Sequence, residues 1–464
     1  MSQSLVNQLQ SVVGATHCLT GAAMQPYVSS PYGYSGPGVA VVRPATTDEV
    51  AKVVRICAEH NTPMVPQGGN TGLCGGSVPE KERPAVLISL TRMNEIESID
   101  AEASTMVVQA GCLIEHIQNA ADEIDRTFAP DWGARGSAMA GGAVATNGGG
   151  INVLRYGNTR EQVLGLEVVL PNGKIWNGLR ELRKDNSGYD LKHLFVGSEG
   201  TLGIITRVCF RLHPRQPVQQ SLFAAIENLD HLLSFLSRAQ AIGGDRLNAF
   251  ELMPGLGIEK ALQRYPDLKR PLEKSHDWYL LVRFAGVTSV ESELIALFEA
   301  GFEAGYLKEA VLASSLAQEN NLWEIRDAMM PRHYFDRPML KWDVSVPLGS
   351  IVDFLRRGAA IAHGHQQNAI VYACGHVGDG NIHYSVFPDE VESDENELCR
   401  NIYDDIDHLI WSLNGSIVAE HGVGIEMRSR VRQQKSTVEY QMMQTVKQAF
   451  DPKGIMNPGK LLES

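Results

Sequence analysis

Two histidines, His376 and His383, flank the turn signal Gly378-Asp379-Gly380 in the stretch GHVGDGNIH. Two ligands of one metal ion must lie within about 4 Å of each other, because metal–nitrogen bonds are near 2 Å. Residues that far apart on a helix are separated by about 10 Å, and on a straight strand they face opposite sides. A bend at the glycines removes both obstacles. Downstream, AEHGVG sets Glu420 beside His421. Read as a strand, the pair points in opposite directions, so Glu420 can ligate while His421 faces a neighbouring space. His376, His383 and Glu420 then make a two-histidine, one-carboxylate set with an open position, and His421 is left as a general base. The plainer alternative keeps Glu420 as a surface charge and His421 in a core. Cations gather in WEIRDAMMPRHYFDRPMLKWDV, with Arg326, Arg332, Arg337 and Lys341. In an acidic chain they are either a carboxylate site, for which arginine offers a two-pronged fork, or solvated surface charge.

Glycine is the other concentrated signal. PQGGNTGLCGG spans 66–76, DWGARGSAMAGGAVATNGGG spans 131–150, and GSEGTLGII closes the run KDNSGYDLKHLF from Lys184. With no Cβ in the way, backbone comes within contact distance of a flat or anionic group. None of these stretches fits GxGxxG after the first strand or GxxxxGK[ST], which removes the Rossmann and Walker readings. Separate loops remain, able to aim N–H groups at a pyrophosphate or serving as tight turns. Asn70, Thr71, Ser77, Thr146, Asn147 and Ser198 among them favour a nucleotide.

The elements that carry these residues are legible in outline. Leu5, Leu9, Val12 and Val13 suit a short amphipathic helix. An apolar run from Gly38 leads to a helix capped by Thr46 or Thr47, burying Val50, Val53, Val54 and Cys57, and then to the strand MVPQ: a strand–helix–strand unit. A helix is expected near Leu113–Ala121, a hairpin at Asn172-Gly173, and a buried strand at Ile204, Ile205 and Val208. After about residue 215 glycine thins, and helices alternate with strands such as WYLLVRFAG and AIVYACGHVG, an α+β pattern. A tail helix stops at Asp451-Pro452.

At 464 residues the chain is too long for one core. A net charge of -13 argues against nonspecific binding to nucleic acid or anionic membranes. The seven cysteines are scattered, with no CxxC pair, as reduced thiols are. The first residues lack the basic and apolar regions of an export signal, and no window offers the roughly 18 apolar residues of a membrane span. A soluble, cytoplasmic protein is the expectation.

PQGGNTG, ATNGGG, RYGN, KDNSGYDLKHLFVGSEGTLGIIT, GHVGDGNIH, AEHGVG and DPKGIMNPGKL, in this order over residues 38–461, resemble the FAD-linked oxidase family with its vanillyl-alcohol-oxidase (PCMH) type flavin domain. Within it, PQGGNTG and RKDNSGYDLK look most like the D-2-hydroxyglutarate dehydrogenase branch, with D-lactate dehydrogenases and glycolate oxidase subunits sharing part of the wording. The resemblance implies an α+β fold: a two-subdomain FAD-binding domain over 1–215, an α+β substrate- and metal-binding domain with an antiparallel sheet over 216–425, and a segment 426–464 that returns to the flavin domain. It implies noncovalent FAD on Pro66, Gly68, Gly69, Asn70, Thr71, Gly72 and Leu73. Asp131, Gly133, Gly136, Ser137, Gly141, Thr146, Asn147 and Gly149 would line the ring and ribityl region. Gly200, Gly203, Ile205 and Asn457 would complete the cradle, with Lys460 nearby.

It also implies a divalent metal, zinc by expectation, on His376, His383 and Glu420. His421 would be the base, and Arg326, Lys341, Asn381, Met330 and Ser385 would face substrate. Met330 and Ser385 depart from the Thr and Asn usual in the hydroxyglutarate branch and put the five-carbon diacid in doubt. The implied reaction is oxidation of a D-2-hydroxy acid to the 2-oxo acid, with D-2-hydroxyglutarate as lead and D-lactate, glycolate or D-malate as alternatives. Electrons would leave to an external acceptor, an electron-transfer flavoprotein or a quinone, and a homodimer is admissible. Other classes are a redox-neutral flavin transferase, which would lack the histidine pair, and a noncatalytic oxidase subunit, which would lose His421 or the metal set. A flavin-free metal hydrolase would leave the glycine loops unexplained.

Overall fold

A computed structural model describes residues 3–389, 391 and 396–463. The chain divides into two compact units: Met1–Gly150 with Tyr156–Arg215 and Glu420–Ser464, and Ile151–Arg155 with Gln216–Ala419. The chain re-enters the first unit at Glu420. The cause is local: Val423 and Gly424 donate to the buried Glu199 carboxylate at 2.6 and 2.8 Å, and Ile425 donates to the Cys74 carbonyl at 2.8 Å.

The first unit holds two larger sheets and a two-stranded one, Arg126–Thr127 with His213–Pro214. In the four-stranded one, Gly38–Val42 and Met64–Gln67 flank Ala85–Ser89 and both run parallel to it, while Cys18–Leu19 pairs antiparallel on the outside. Parallel neighbours need a crossover, supplied by the helix Thr47–Glu59. Thr46 caps it by accepting from the Glu49 N–H, and Val50, Val53, Val54 and Cys57 are its buried face. The five-stranded sheet is antiparallel, in the order Ile96–Asp100, Thr105–Gln109, Ile204–Arg211, Val163–Val169, Ile175–Gly178. The Asn172-Gly173 turn joins its last two strands, with Gly173 at φ 75°. The N-terminal helix Gln3–Val13 lays Leu5, Leu9 and Val13 on this unit's core.

The tail is tied in by side chains. Lys447, on the helix Thr437–Phe450, donates to Asp451 and to the Thr201 and Met456 carbonyls at 2.6–2.8 Å. Asn457 donates from its backbone to Met64 at 2.8 Å.

The second unit also holds two antiparallel sheets. Leu247–Pro254, Trp278–Gly286, Val218–Ile226 and Leu307–Leu312 form one. Leu340–Ser345, Asn381–Phe387 and Ile370–Cys374 form the other. A bridge joins them edge to edge: Leu252 and Gly375 exchange hydrogen bonds of 2.9 and 3.1 Å. The smaller sheet alternates cleanly. Leu340, Trp342, Val344, Ile382, Tyr384 and Val386 are all buried. Helices Ile351–His365 and Glu397–Ser412 cover that face, with Phe354 against Tyr384 and Tyr403 against Trp342 at ring-centroid distances of 5.1 and 4.6 Å. The opposite face carries Lys341, Asp343, Asn381, His383 and Ser385, because side chains alternate along a strand.

Candidate active site

The polar face of the smaller sheet in the second unit is set by register. Lys341 lies opposite Ser385, and Asp343 opposite His383. The turn at 377–380 follows His376 and feeds the strand that begins at Asn381, so the chain reverses between the two histidines. Their ring centroids stand 5.4 Å apart, nearly perpendicular. A turn does separate the two histidines, at the glycines that signal it.

Two carboxylates missing from the sequence reading flank these histidines, one on each sheet. Glu251, only 1% exposed, is on the strand Leu247–Pro254, every residue of which is buried. Since Leu252 pairs antiparallel with Gly375, Glu251 sits across from His376, and its Oε1 is 2.7 Å from Nδ1. Its Oε2 accepts from Arg326, at 3.0 Å from Nε and 2.9 Å from Nη2. Burial opposes the Glu251 charge, but His376 and Arg326 hold its pKa down to about 2. Burial likewise works against Arg326, yet Glu251 and Asp327 raise its pKa above the ordinary arginine value. A charge inside the apolar run AFELM is costly unless paired, which is the signal that marks Glu251 in the sequence.

Asp343 is the second. Its Oδ1 accepts from Asn381 Nδ2 at 2.8 Å and stands 3.5 Å from His383 Nδ1. Its backbone and side-chain oxygens both accept from the Ala419 N–H, at 2.9 and 3.2 Å. Asn381 also donates to the Val344 carbonyl at 3.0 Å, while its Oδ1 is buried without a hydrogen-bond partner. Met330 lies just past the helix Leu316–Ala328 that carries Arg326 and is 54% exposed, whereas Ser385 is buried. Arg337 is committed to Asp389 at 2.9 Å. Of the expected cations, then, Arg326 is held on buried Glu251 and Lys341 lies on the polar face.

In the first unit, Glu420 and His421 occupy a bend, which corrects the expected strand. The irregular path follows from Gly422 and Gly424, at φ 84° and 54°, where an L side chain is strained. A Cβ on Gly424 would also fall 2.0 Å from the Cys74 carbonyl oxygen. Glu420 accepts from the Gly150 N–H at 2.9 Å and its Oε1 is 3.9 Å from His421 Nε2. Glu199, from GSEG, pins the loop through Val423 and Gly424. Burial raises the Glu199 pKa against those two N–H groups and Lys460.

The glycine loops sort into two kinds. A Cβ on Gly69 would lie 1.8 Å from the Ser137 oxygen, on Gly141 2.7 Å from Ala110 Cβ, on Gly200 2.5 Å from Pro66 Cγ, and on Gly203 2.7 Å from Val168 Cγ1. These glycines let protein segments touch. Gly72 and Gly133 have no atom within 4 Å of that position, and Gly136 meets only Glu115 Oε2 at 3.5 Å. Asn70 is fixed at φ 55° by Ser29 and Ser77, and Thr146 and Asn147 end the helix Ala140–Thr146 with Asn147 in the left-handed region. Ile205 is packed in the core on the strand Ile204–Arg211, as its sequence context led one to expect. Asn457 donates to the Gly76 and Glu199 carbonyls at 3.0 and 2.7 Å and leaves its buried Oδ1 without a hydrogen-bond partner. Open flanks at Gly72 and Gly133 and an unmatched acceptor at Asn457 fit a bound nucleotide.

Comparisons with known proteins agree in extent and kind. Residues 39–178 match the family described as FAD binding domain, and residues 215–461 match FAD linked oxidases, C-terminal domain. The chain is 36% identical over 431 residues to a D-2-hydroxyglutarate dehydrogenase of Xanthomonas citri pv. viticola, covering 92% of this chain and 89% of that one. It is 35% identical over 430 residues to the mitochondrial D-2-hydroxyglutarate dehydrogenase of Danio rerio, covering 92% and 79%. It is 34% identical over 438 residues to a D-2-hydroxyglutarate–pyruvate transhydrogenase of Saccharomyces cerevisiae, covering 92% and 87%. Among solved structures, p-cresol methylhydroxylase with substrate bound superposes with a TM-score of 0.78 at 18% identity, covering 100% of this chain and 98% of that one. An alkyldihydroxyacetonephosphate synthase superposes at 0.74 and 18%, covering 99% and 85%. At such identities these two show a shared fold alone. With two family models spanning most of its length and relatives above 30% identity along nearly all of it, the chain belongs to the FAD-linked oxidase family.

Proposed function

We propose that this protein is an FAD-dependent D-2-hydroxy acid dehydrogenase, with D-2-hydroxyglutarate as lead substrate and D-lactate as the alternative. The observation that carries the reading is that a buried, carboxylate-backed Arg326 lies against His376, whose ring neighbours His383 on the sheet face that also carries Lys341. An acid substrate needs cations for its carboxylate and a polarising group for its hydroxyl, and both are provided on one platform. FAD, when bound in the first unit, supplies the two-electron acceptor. A divalent ion on His376, His383 and Glu420, zinc by the nitrogen and oxygen donor set, would supply Lewis acidity.

The chain's own residues do the rest. Arg326 and Lys341 orient and neutralise the substrate carboxylates. His421 takes the 2-hydroxyl proton as hydride leaves Cα. Covalent continuity supports its assignment to this task. Ala419 is hydrogen-bonded to Asp343, whose cross-strand neighbour is His383, and Glu420 and His421 follow Ala419 directly. Among the described residues no helix is long and apolar enough to cross a membrane. We place the enzyme in the cytoplasm, with an electron-transfer flavoprotein or quinone as acceptor. The yeast relative's name adds a second 2-oxo acid as a further acceptor.

The test is anaerobic bleaching of the purified flavoprotein against D- and L-2-hydroxy acids. D-2-hydroxyglutarate should reduce the flavin fastest, D-lactate second, and the L forms not at all. Bleaching by no D-2-hydroxy acid would end the reading. Dialysis against a chelator should lower activity while the flavin stays bound, and full activity in metal-free protein would remove the metal from the proposal.

A further inference from the structure

Glu251 is a buried titratable group that the proposed chemistry does not use, and its two oxygens are divided between two functional side chains. Oε1 meets His376 Nδ1 at 2.7 Å, and Oε2 meets the Arg326 guanidinium at 2.9 and 3.0 Å. An ionised carboxylate can only accept, so the neutral His376 ring carries its proton on Nδ1. The other side of the ring agrees. Arg326 Nη2 lies 3.4 Å from His376 Nε2, and a guanidinium can only donate, so Nε2 presents an electron pair. The backbone makes this arrangement stiff. Leu252 and Gly375, the neighbours of Glu251 and His376, are paired across two strands by reciprocal hydrogen bonds.

We infer that Glu251 is a positioning residue that fixes His376 as an Nε2 metal ligand and, through its second oxygen, holds Arg326 in place for the substrate carboxylate. The inference rests on the metal reading proposed above and goes beyond it, because it names the group that orients a ligand and couples that ligand to the anion site. A carboxylate behind a ligating histidine sets the ring's tautomer and raises its basicity, and loss of such a partner lowers metal affinity by about 10- to 100-fold. Here the same carboxylate also fixes a guanidinium, so one substitution should weaken both metal and anion binding.

The test compares wild type, Glu251→Gln and Glu251→Asp as FAD-loaded proteins. Zinc affinity is measured by competition with a chromophoric chelator, and binding of the product-like anion 2-oxoglutarate by perturbation of the flavin spectrum. Flavin content and urea midpoint report on folding. We expect Glu251→Gln to keep its flavin, to lose about 10- to 100-fold in zinc affinity, and to bind 2-oxoglutarate more weakly even at saturating zinc. Glu251→Asp, which keeps the charge, should recover part of both. Zinc affinity unchanged in a flavin-loaded Glu251→Gln would overturn the inference while leaving the metal reading standing. Should Glu251→Gln not fold, Glu251→Asp decides: a zinc affinity equal to wild type overturns the inference, a weakened one with flavin retained supports it. A wild type that binds no zinc and still turns over would overturn the metal reading, and the inference with it.

Discussion

The FAD-binding unit and the unit bearing the polar sheet face build their sites from different materials. The residues proposed for FAD in the first offer backbone: glycines, peptide N–H groups and left-handed residues, spread over loops from Pro66 to Asn457. The second uses side chains on regular strands, where register alone sets Lys341 beside Ser385 and Asp343 beside His383. A backbone site tolerates changes of side chain as long as no Cβ intrudes. A side-chain site tolerates nothing at its few polar positions but can be re-tuned around them. The two regions should therefore fail differently when substituted.

His421 is the sharpest exception to this division, since the side-chain chemistry proposed for it would come from a glycine-shaped bend of the first unit. His421→Ala should leave the flavin bound and slow anaerobic flavin reduction by about 10²- to 10⁴-fold, the usual worth of a general base. Stopped-flow absorbance of the bound flavin measures it. Reduction within a few-fold of wild type would move the base elsewhere.

Within the backbone site, Gly69 and Gly72 separate packing from ligand contact. Gly69→Ala drives a Cβ to 1.8 Å from the Ser137 oxygen, a backbone atom that cannot swing aside. A loss of about 3 kcal/mol or more is expected from overpacking at such a contact, read as a lower urea midpoint. Gly72→Ala meets no protein atom within 4 Å. Its midpoint should hold or rise slightly in the apoprotein, since alanine narrows the unfolded ensemble, while FAD retention falls. If both variants lose stability alike and keep FAD alike, the two kinds of glycine are one.

These examples also show what was legible beforehand. The return of the tail followed from the family resemblance, whereas the strand–helix–strand unit, a cap at Thr46 or Thr47 and the Asn172-Gly173 turn follow from local rules of spacing, capping and turn chemistry. The turn between His376 and His383 was legible for the same reason. The partners of Glu251 and Asp343 were not, because they depend on which distant strands pair, and an acidic residue in a strand does not announce its partner. Nor did the sequence distinguish Gly69 from Gly72, which are three residues apart in one motif and differ only in what the fold puts beside them. The bend at Glu420 departs from the expected strand because Gly422 and Gly424 sit at positive φ, which spacing alone does not signal.

Lys460 tests the first unit by pH. Burial lowers its pKa from 10.5 to about 8, against the opposing pull of Glu80 and with the help of Arg428. A lysine whose pKa is depressed by folding leaves the unfolded chain holding more protons between those two values. Stability should therefore rise as pH climbs from about 8 to about 10.5, and the burial cost is fully felt below that window. The swing attributable to this group is on the order of 3 kcal/mol. Urea midpoints of wild type and Lys460→Met across pH 7–10 isolate it, the variant losing the rise. Parallel pH curves for the two proteins would mean that Lys460 titrates as in water.

Met330 gives the smallest expected effect and bears on the tunable half of the comparison. It is 54% exposed and follows the Arg326 helix, so exchanging it disturbs no packed core. A hydroxyl there would offer one hydrogen bond to the far carboxylate of a diacid and nothing to D-lactate. One such bond is worth about 1 kcal/mol, or roughly fivefold in relative kcat/KM. Met330→Thr should accordingly raise the ratio of D-2-hydroxyglutarate to D-lactate turnover by about that factor, with the flavin spectrum and urea midpoint unchanged. A constant ratio would place substrate discrimination at Ser385, which is buried opposite Lys341 and can respond only through its cross-strand neighbours.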